Sequence, residues 1–308
     1  MNKYKGLENL IDKDKIKYNE DMKKHTTIRI GGKAKCFVTP STIEDVINVV
    51  KYAKENNIEF YIIGNGSNLV VSDDGIDGIV VRIGNGFDKV SVKDNVIEAY
   101  AGSTMPKVSQ IAKKNELSGF EFACGIPGTI GGGVRMNAGA YGSEMSNIIE
   151  EITYLNEEDE VCVMKKEDAC FGYRHSIFCD NKKLVVLGAK FVLEKGNLSQ
   201  IEEKMSEYTK ARKEKQPIEY PNAGSTFKRP TGYFVGKLVQ DAGLRGYTVG
   251  GMQVSEKHTG FIVNKGNATC KDVKQIIKDI QKIVYEKFGV HLKEEIEFIG
   301  GKNNENIT

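Results

Sequence analysis

The spacing of apolar residues predicts alternating helices and strands along most of the chain. Apolar side chains recur every three to four positions from Ile43 to Ala53, which predicts a helix over 42–56. The same spacing predicts an amphipathic helix over 270–288, which Gly289 would end. Shorter apolar runs predict a hairpin and a set of strands: 58–63, 78–83, 90–101, 148–155, 160–165, 184–193, 252–254, 260–264 and 291–299.

Capping and breaking residues place the remaining helices. Ser41-x-x-Glu44 and Ser199-x-x-Glu202 have the form of capping boxes, and the second predicts a charged helix over 199–214. Ser103 or Thr104 would cap a helix with Pro106 in its first turn, ending near 117–119. A further helix is predicted within 232–244. The polar residues 1–25 predict a helical lead-in.

Composition excludes several classes of protein. Hydrophobic residues make up 40% and charged residues 28% of the 308 positions, and the net charge is +2, which gives no case for a nucleic-acid partner. The N-terminus lacks the apolar core of a signal peptide, and no run of about 18 apolar residues exists, so we expect no membrane span. The six cysteines form no CxxC pair, which favours a cytoplasmic protein with free thiols and no metal site.

Two glycine-rich stretches interrupt the pattern of helices and strands. Seven of the eighteen positions in 125–142 are Gly, a density unusual for an ordinary helix or strand, and apolar residues are interleaved among them. The other cluster, Gly64 to Asn68, comes earlier in the chain and follows a β-type run; it is the first glycine-rich turn, and 125–142 is the second glycine-rich stretch. Backbone N–H groups in such turns can bind anions, so the pair predicts a nucleotide cofactor held mainly by backbone. Neither stretch is a GxGxxG or GxxxxGK[ST] motif, which disfavours a doubly wound NAD domain and a P-loop NTPase.

Four polar residues elsewhere could carry chemistry, and the local sequence leaves each open. Arg174 lies among aromatic and apolar residues, where an Arg can bind a carboxylate or simply cover the core. Ser225 follows Gly224 and could deliver a proton, although a turn serine bonded to its own backbone is the simpler interpretation. Glu295 could belong to an exposed strand edge, and His258 could be a ligand contact or a surface residue.

The ordered set of these stretches resembles the UDP-N-acetylenolpyruvoylglucosamine reductase family, flavoenzymes of peptidoglycan precursor synthesis. The resemblance covers most of residues 26–300, in the family's order. It is carried by TTIRIGGKAKCFV (26–38), IIGNGSNLVVSDDG (62–75), GIPGTIGGGVRMNAGAYG (125–142), YRHSIF (173–178), NAGSTFKRP (222–230), AGLRGYTVGGMQVSEKHTGFIVN (242–264) and LKEEIEFIG (292–300).

This resemblance implies an α+β fold with a two-part FAD-binding domain of the vanillyl-alcohol-oxidase (PCMH) type. The two FAD-binding parts would span 1–85 and 86–198, and a substrate-binding domain would span 199–308. It implies noncovalent FAD, NADPH as hydride donor, and a monomer acting on the enolpyruvyl ether of UDP-N-acetylglucosamine. The product would be UDP-N-acetylmuramate, so the protein would serve cell-wall biogenesis, cell shape and cell division.

The resemblance also implies roles for single residues. Ser225 would donate the proton, and Arg174 and Glu295 would stabilise the developing enolate. Substrate would be bound by Arg212, Lys215, Lys228, Arg229 and His258. FAD would be bound by Ile63, Gly64, Asn65, Gly66, Ser67, Asn68, Leu69, Gly125, Ile126, Pro127, Gly128, Gly131, Gly132, Asn137, Gly139 and Ala140.

Some features depart from the family or leave rivals open. Lys33 and Arg135 stand where the family often has other residues, and the short segment from Arg174 to Ser225 implies the subclass without the substrate-closing loop. A flavin-dependent alcohol or phenol oxidase with the same FAD fold is the rival enzyme. No His occurs between His25 and His175 to attach flavin covalently, but Cys36 and Cys124 remain as attachment sites. A noncatalytic nucleotide-sugar sensor would not need Arg174, Ser225 and Glu295 together.

Overall fold

The computed structural model describes residues 3–301, which form short helices and many short strands. The α-helices are α1 Ile43–Glu55, α2 Met105–Lys114, α3 Ile130–Arg135, α4 Ile177–Asp180, α5 Leu198–Lys215, α6 Val235–Asp241 and α7 Cys270–Phe288. The strands are β1 Ile16–Asp21, β2 Lys33–Val38, β3 Phe60–Ile63, β4 Leu69–Val71, β5 Ile76–Arg82, β6 Val90–Lys93, β7 Val96–Tyr100, β8 Leu117–Ser118, β9 Gly139–Ala140, β10 Ser143–Glu144, β11 Ile149–Leu155, β12 Val161–Lys165, β13 Val185–Val192, β14 Glu194–Lys195, β15 Thr248–Val249, β16 Met252–Val254, β17 Ile262–Asn264 and β18 Glu297–Ile299.

The chain divides into two compact units, each built from three segments. Unit 1 comprises residues 3–17, Phe37–Asn65 and Ile79–Arg212. Unit 2 comprises Tyr18–Cys36, Gly66–Gly78 and residues 213–301. The chain therefore passes between the units inside β1, β2, β5 and α5 and inside the first glycine-rich turn. The three-part division at residues 85 and 198 stays a prediction.

Unit 1 contains an antiparallel sheet of five strands in the order β12-β11-β13-β7-β6. Helix α3 packs against the central strand β13. Unit 1 also holds β3 and its parallel partner β5, paired from Phe60↔Ile79 to Ile63↔Arg82. Because β3 leads directly into Gly64, this pairing fixes the start of the first glycine-rich turn.

Unit 2 is built around helix α7. One face of α7 is buried in an apolar cluster with β16, β17 and α6; its buried members include Val273, Ile276, Ile277, Ile280 and Val284. Burying each such side chain contributes about 1.5–3 kcal/mol. Strand β18 pairs in parallel with β4, from Glu297↔Leu69 to Ile299↔Val71. This pairing places β18 beside β4, the strand that directly follows the first glycine-rich turn.

The periodic elements agree with the sequence predictions. Helices α1 and α7 and strands β11, β12 and β13 lie within one or two residues of their predicted ranges. The predicted hairpin turns at Asp94, whose φ is 56°. Thr104 caps α2, and Gly289 ends α7 in the left-handed conformation, as predicted.

Four local predictions are wrong. Residues 3–25 form three short 3-10 helices and strand β1 rather than one helix, because pairing in a sheet outweighs weak local preference. The first capping box uses Thr42 and Asp45 instead of Ser41 and Glu44. Asn197, whose Oδ1 accepts the Ser199 and Gln200 N–H groups, caps α5. The last strand covers only Glu297–Ile299, so Glu295 lies outside it.

The glycine run at 131–133 lies in helix α3, so the expectation that these glycines avoid helix is also wrong. A Cβ at Gly131 would be 3.1 Å from the Ala101 Cβ, and one at Gly133 would be 2.9 Å from the Met105 Sδ. Close packing thus favours glycine at 131 and 133 despite its low helix propensity.

The six cysteines are free thiols. Within residues 3–301, no helix combines the length and apolar character that a membrane crossing needs.

Candidate active site

The predicted site residues divide between the two units, and each unit is described separately. Unit 1 holds Arg174 and Arg212 and twelve of the predicted cofactor residues: Ile63, Gly64, Asn65, Gly125, Ile126, Pro127, Gly128, Gly131, Gly132, Asn137, Gly139 and Ala140. Unit 2 holds Ser225, Glu295, Lys215, Lys228, Arg229 and His258 together with Gly66, Ser67, Asn68 and Leu69.

In unit 1 the two glycine-rich stretches lie against each other. The Asn65 Nδ2 donates a hydrogen bond to the Pro127 carbonyl at 3.1 Å. Gly64 lies so close to Thr129 that a Cβ on Gly64 would overlap the Thr129 Oγ1. Thr129 is 2% exposed and caps α3, so it has little freedom to move away. Sequence reasoning predicted both turns, and the structure brings them together.

The loop before α3 presents unpaired backbone donors. Within the described residues, the N–H groups of Gly125, Gly128 and Thr129 donate no hydrogen bond to another protein group. Backbone N–H groups that converge near glycine can bind an anion such as a phosphate. This loop therefore has the properties expected of a cofactor phosphate site.

Arg212 lies beside the same loop. Its side chain packs on Gly125, where a Cβ would be 2.9 Å from the Arg212 Cδ. Burial lowers the pKa of the Arg212 guanidinium, and the groups that raise it are Tyr141 and Cys124 rather than a carboxylate. A partly buried guanidinium that pairs with no carboxylate among residues 3–301 favours an anionic ligand.

Two tyrosines that sequence reasoning missed connect α5 to the glycine-rich stretch. The rings of Tyr141 and Tyr208 stack with centroids 4.1 Å apart, and the Tyr141 hydroxyl donates to the Tyr208 carbonyl at 2.8 Å. Tyr208 and Arg212 are four residues apart and therefore share a face of α5. The four-residue spacing of Tyr208 and Arg212 was the only signal in the sequence that this face of α5 contacts the glycine-rich stretch.

Arg174 lies at the tip of a tight turn in unit 1. Gly172 and His175 exchange two backbone hydrogen bonds, which leaves Tyr173 and Arg174 as the turn residues. Arg174 has a φ of 53°, an uncommon conformation for a residue with a side chain. Its Nη2 donates to the Gly139 carbonyl at 3.0 Å, so the guanidinium is held at the second glycine-rich stretch.

In unit 2 the segments that carry Ser225 and Glu295 are neighbours. The Glu295 N–H donates to the Thr226 carbonyl at 2.9 Å, and the Lys228 N–H donates to the Lys293 carbonyl at 2.8 Å. Ser225 itself is exposed. Gly224, at φ 79°, allows the turn before it, and the Asn222 Oδ1 accepts the Gly224 N–H. The structure thus brings two of the three predicted catalytic residues onto adjacent segments.

The first glycine-rich turn continues into this part of unit 2. The Asn68 Nδ2 donates to the Glu295 carbonyl at 3.0 Å, and the Asn68 carbonyl accepts the Glu297 N–H at 2.9 Å. The N–H groups of residues 66–68 donate to no other group in the described part of the chain. Asn68 therefore joins a predicted cofactor segment to a predicted catalytic one.

The predicted substrate residues of unit 2 differ in their surroundings. Burial lowers the pKa of His258, whose Nδ1 accepts the Gly260 N–H at 3.1 Å and whose ring meets Phe261 edge-on. The Arg229 Nε donates to the Tyr233 carbonyl, and its guanidinium lies 3.9 Å from the Phe234 ring centroid. Lys215, at the end of α5, is exposed. Their substrate roles stay predictions.

Residues 3–301 contain no group of three or more His, Cys, Asp or Glu side chains arranged to hold a metal ion.

Comparisons with known proteins match both parts of this description. The family model described as the UDP-N-acetylenolpyruvoylglucosamine reductase C-terminal domain matches residues 216–299, and an FAD binding domain model matches 34–164. A UDP-N-acetylenolpyruvoylglucosamine reductase of Caldanaerobacter subterraneus subsp. tengcongensis is 48% identical, over 96% of this chain and 97% of the relative. A UDP-N-acetylenolpyruvoylglucosamine reductase of Clostridium perfringens is 46% identical, over 97% of this chain and 98% of the relative. The chain belongs to the UDP-N-acetylenolpyruvoylglucosamine reductase family.

Solved structures agree with this assignment. The crystal structure of UDP-N-acetylenolpyruvylglucosamine reductase from Thermus caldophilus aligns with a TM-score of 0.79 at 32% identity, over 92% of this chain and 97% of that one. A glucose dehydrogenase, Phl p 4.0202, aligns at 12% identity with a TM-score of 0.52 over 94% of this chain and 64% of that one, which shows the fold alone. The predicted reductase family and α+β FAD-binding fold are confirmed.

Proposed function

We propose that this member of the reductase family reduces the enolpyruvyl ether of UDP-N-acetylglucosamine to UDP-N-acetylmuramate, with FAD as cofactor and NADPH as reductant. The observation that carries this proposal is 48% identity to a named reductase along 96% of the chain, with a family model matching the C-terminal part. The distant likeness to the glucose dehydrogenase Phl p 4.0202 extends to the fold alone, so it gives the oxidase alternative no comparable support.

The residues of unit 1 fit an anionic flavin nucleotide. The unpaired N–H groups of Gly125, Gly128 and Thr129 would meet its phosphates, and the nearby glycines allow close approach of the backbone. When bound, FAD supplies a carrier that accepts a hydride from NADPH and passes it to the enol ether. The resemblance assigns Arg212 to the substrate diphosphate, and its partly buried guanidinium suits either anion.

The remaining chemistry requires a proton and a counter-charge. Adding a hydride to an alkene conjugated with a carboxylate leaves negative charge on that carboxylate, which a fixed guanidinium can stabilise. We assign this role to Arg174, with the Glu295 carboxyl, carrying its proton, as a second hydrogen-bond donor to the developing enolate. The Ser225 hydroxyl would give its proton to the carbon that the hydride did not reach. The exposure of Ser225 and its position one residue from Thr226, whose carbonyl accepts the Glu295 N–H, support this assignment.

We also propose that the protein acts as a monomer in the cytoplasm, without nucleic-acid or membrane partners. The near-neutral net charge of +2 supports the absence of a nucleic-acid partner. Sedimentation of the purified holoenzyme would reveal a dimer if this assignment is incorrect.

The first test is an absorbance spectrum followed by NADPH addition, with and without the enolpyruvyl sugar nucleotide. We expect a flavin spectrum that NADPH bleaches and that returns when the acceptor is present without oxygen. Acid precipitation should release the flavin intact. Anaerobic bleaching that the sugar nucleotide does not reverse would contradict the reductase assignment.

The second test is Ser225→Ala. This variant should keep bound FAD and its reduction by NADPH, while acceptor turnover falls about a hundred- to a thousandfold because the proton donor is lost. Stopped-flow absorbance separates the two half-reactions. Undiminished acceptor turnover would reject Ser225 as the donor without affecting the family assignment.

A further inference from the structure

We infer that Asn137 is a positioning residue for Arg174: its side-chain amide fixes the turn that carries Arg174 and the hairpin that Arg174 contacts. The inference rests on the proposed catalytic role of Arg174. It assigns to Asn137 a role within the protein that differs from the cofactor contact implied by the resemblance.

Asn137 is completely buried, at 0% exposure, and its amide is used on all sides. The Nδ2 donates to the Gly172 carbonyl at 3.0 Å and to the Glu144 Oε1 at 2.9 Å. The Oδ1 accepts the Ser146 N–H at 2.9 Å. Since both Nδ2 hydrogens have partners in the protein, this side chain has no donor left for a ligand.

The first of these bonds fixes the Arg174 turn. Gly172 is the residue whose N–H and carbonyl pair with His175 to close the turn around Tyr173 and Arg174. The Gly172 carbonyl therefore receives both the His175 N–H, at 3.2 Å, and the Asn137 amide. Arg174 is in the left-handed region, so its turn needs outside contacts to persist.

The second bond fixes the surface that Arg174 touches. Glu144 pairs with Gly139 in the β9–β10 hairpin, and the Gly139 carbonyl accepts the Arg174 Nη2. The Ser146 hydroxyl donates to the same Glu144 Oε1 at 2.7 Å, which orients that carboxylate toward Asn137. One buried amide thus ties together the turn that carries the guanidinium and the hairpin that holds it.

The residue type suits the position. Asn137 has a φ of 42°, and Asn tolerates this left-handed conformation better than most residues. The three hydrogen bonds require a short side chain that carries both donors and an acceptor, and few residue types other than Asn provide one. Loss of the amide would release the Gly172 carbonyl and let the guanidinium shift.

The experiment is a double-mutant cycle on the full-length holoenzyme with Asn137→Ala, Arg174→Ala and the combined variant. In the wild-type background, Asn137→Ala should lower kcat for the acceptor about ten- to a hundredfold, since small displacements of a catalytic group have such effects. NADPH reduction of FAD and FAD affinity should stay within about twofold of wild type. In the Arg174→Ala background, the same change should have less than about a twofold further effect.

A second variant and a control guard against general misfolding. Asn137→Asp keeps the shape and the acceptor but loses the donors. Like Asn137→Ala, it should lower kcat when Arg174 is present and have little effect when Arg174 is replaced by Ala. Asn156→Ala is the matched control, because the Asn156 Oδ1 also accepts backbone N–H groups in a turn of unit 1, those of Glu158 and Glu160. It should leave kcat unchanged.

The outcomes separate this inference from the proposed function. Three results would overturn the positioning role. The first is that either Asn137 variant lowers kcat by the same factor with Arg174 present and with Arg174 replaced by Ala. The others are that both Asn137 variants release FAD, or that either one keeps the wild-type kcat. Wild-type acceptor turnover in Arg174→Ala would instead remove the catalytic role of Arg174 on which the inference stands.

Discussion

The turn that carries Arg174 and the segment that carries Ser225 are held by different kinds of contact. In unit 1, two backbone bonds between Gly172 and His175 close the Arg174 turn, but side chains tie it to its surroundings: the Arg174 guanidinium bonds Gly139, and the buried Asn137 amide bonds Gly172. In unit 2, the segment after Ser225 is held by backbone hydrogen bonds to Gly260, Lys293 and Glu295. Since backbone bonds survive a change of side chain, the unit 2 segment should tolerate substitutions that the unit 1 turn does not.

The largest expected effects come from the two groups proposed to act at the developing enolate. Arg174→Ala and Glu295→Gln should each lower acceptor turnover about a hundred- to a thousandfold, because the first removes the guanidinium and the second replaces an acidic O–H donor with a weakly acidic amide. The two variants should differ in structure. The Glu295 backbone keeps its bond to Thr226 in the Gln variant, whereas Arg174→Ala loses the Gly139 contact.

Steady-state kinetics measures the first point, and amide hydrogen exchange measures the second. Faster exchange should appear in residues 137–146 and 172–175 of Arg174→Ala, while the segment after Ser225 stays protected in Glu295→Gln. Equal exchange in both variants would contradict the proposed difference between the two regions.

A second prediction concerns the contact of the two glycine-rich stretches in unit 1. Gly64→Ala places a methyl group against the Thr129 Oγ1, and the stiff, buried threonine cannot yield easily. We expect FAD affinity to fall about tenfold or more, which corresponds to a loss of about 1.4 kcal/mol of binding free energy. Equilibrium dialysis or flavin fluorescence measures this change.

Two further variants test the cause. Gly84→Ala is the control, because its nearest atom would be the Arg82 Nε at an ordinary 3.7 Å, and it should bind FAD normally. Adding Thr129→Ala to Gly64→Ala removes the overlapping hydroxyl and should restore part of the affinity. No recovery in the double variant would mean that Gly64 acts by another route.

The sequence predicted those features that depend on local pattern. The regular apolar spacing of α7, the Gly289 stop and the unusual glycine density at 125–142 are local signals, and each has its predicted counterpart in the structure. The choice of Ser225 and Glu295 came from the family resemblance, and the backbone bonds between their segments were not visible in either stretch.

The remaining features depend on contacts distant in sequence. The helical glycines Gly131 and Gly133 pack against Ala101 and Met105, about thirty residues earlier, and the stacking of Tyr141 on Tyr208 joins residues in separate elements. Asn137 looked like one more member of a glycine-rich loop until its partners Gly172 and Glu144 were known. Pairwise contacts of this kind leave no periodic signal in a single sequence.

The smallest expected effect compares two buried threonines, one in each unit. The Thr226 Oγ1 is buried and has no hydrogen-bond partner among the described residues, and the residue is 1% exposed. Thr226→Val keeps the shape and removes an unsatisfied hydroxyl, which typically costs about 1–3 kcal/mol when buried. We expect the free energy of unfolding to stay equal or rise by up to about 1 kcal/mol, with kcat unchanged.

Thr129→Val is the matched variant, because Thr129 is equally buried but its Oγ1 accepts the Gly132 N–H at 3.4 Å as the cap of α3. Losing that cap should lower the free energy of unfolding by about 0.5–2 kcal/mol. Urea unfolding of both apoproteins gives the two values. If Thr226→Val were the more destabilising of the pair, the Thr226 hydroxyl would have to be contributing to the structure, and the segment after Ser225 could no longer be regarded as held by its backbone alone.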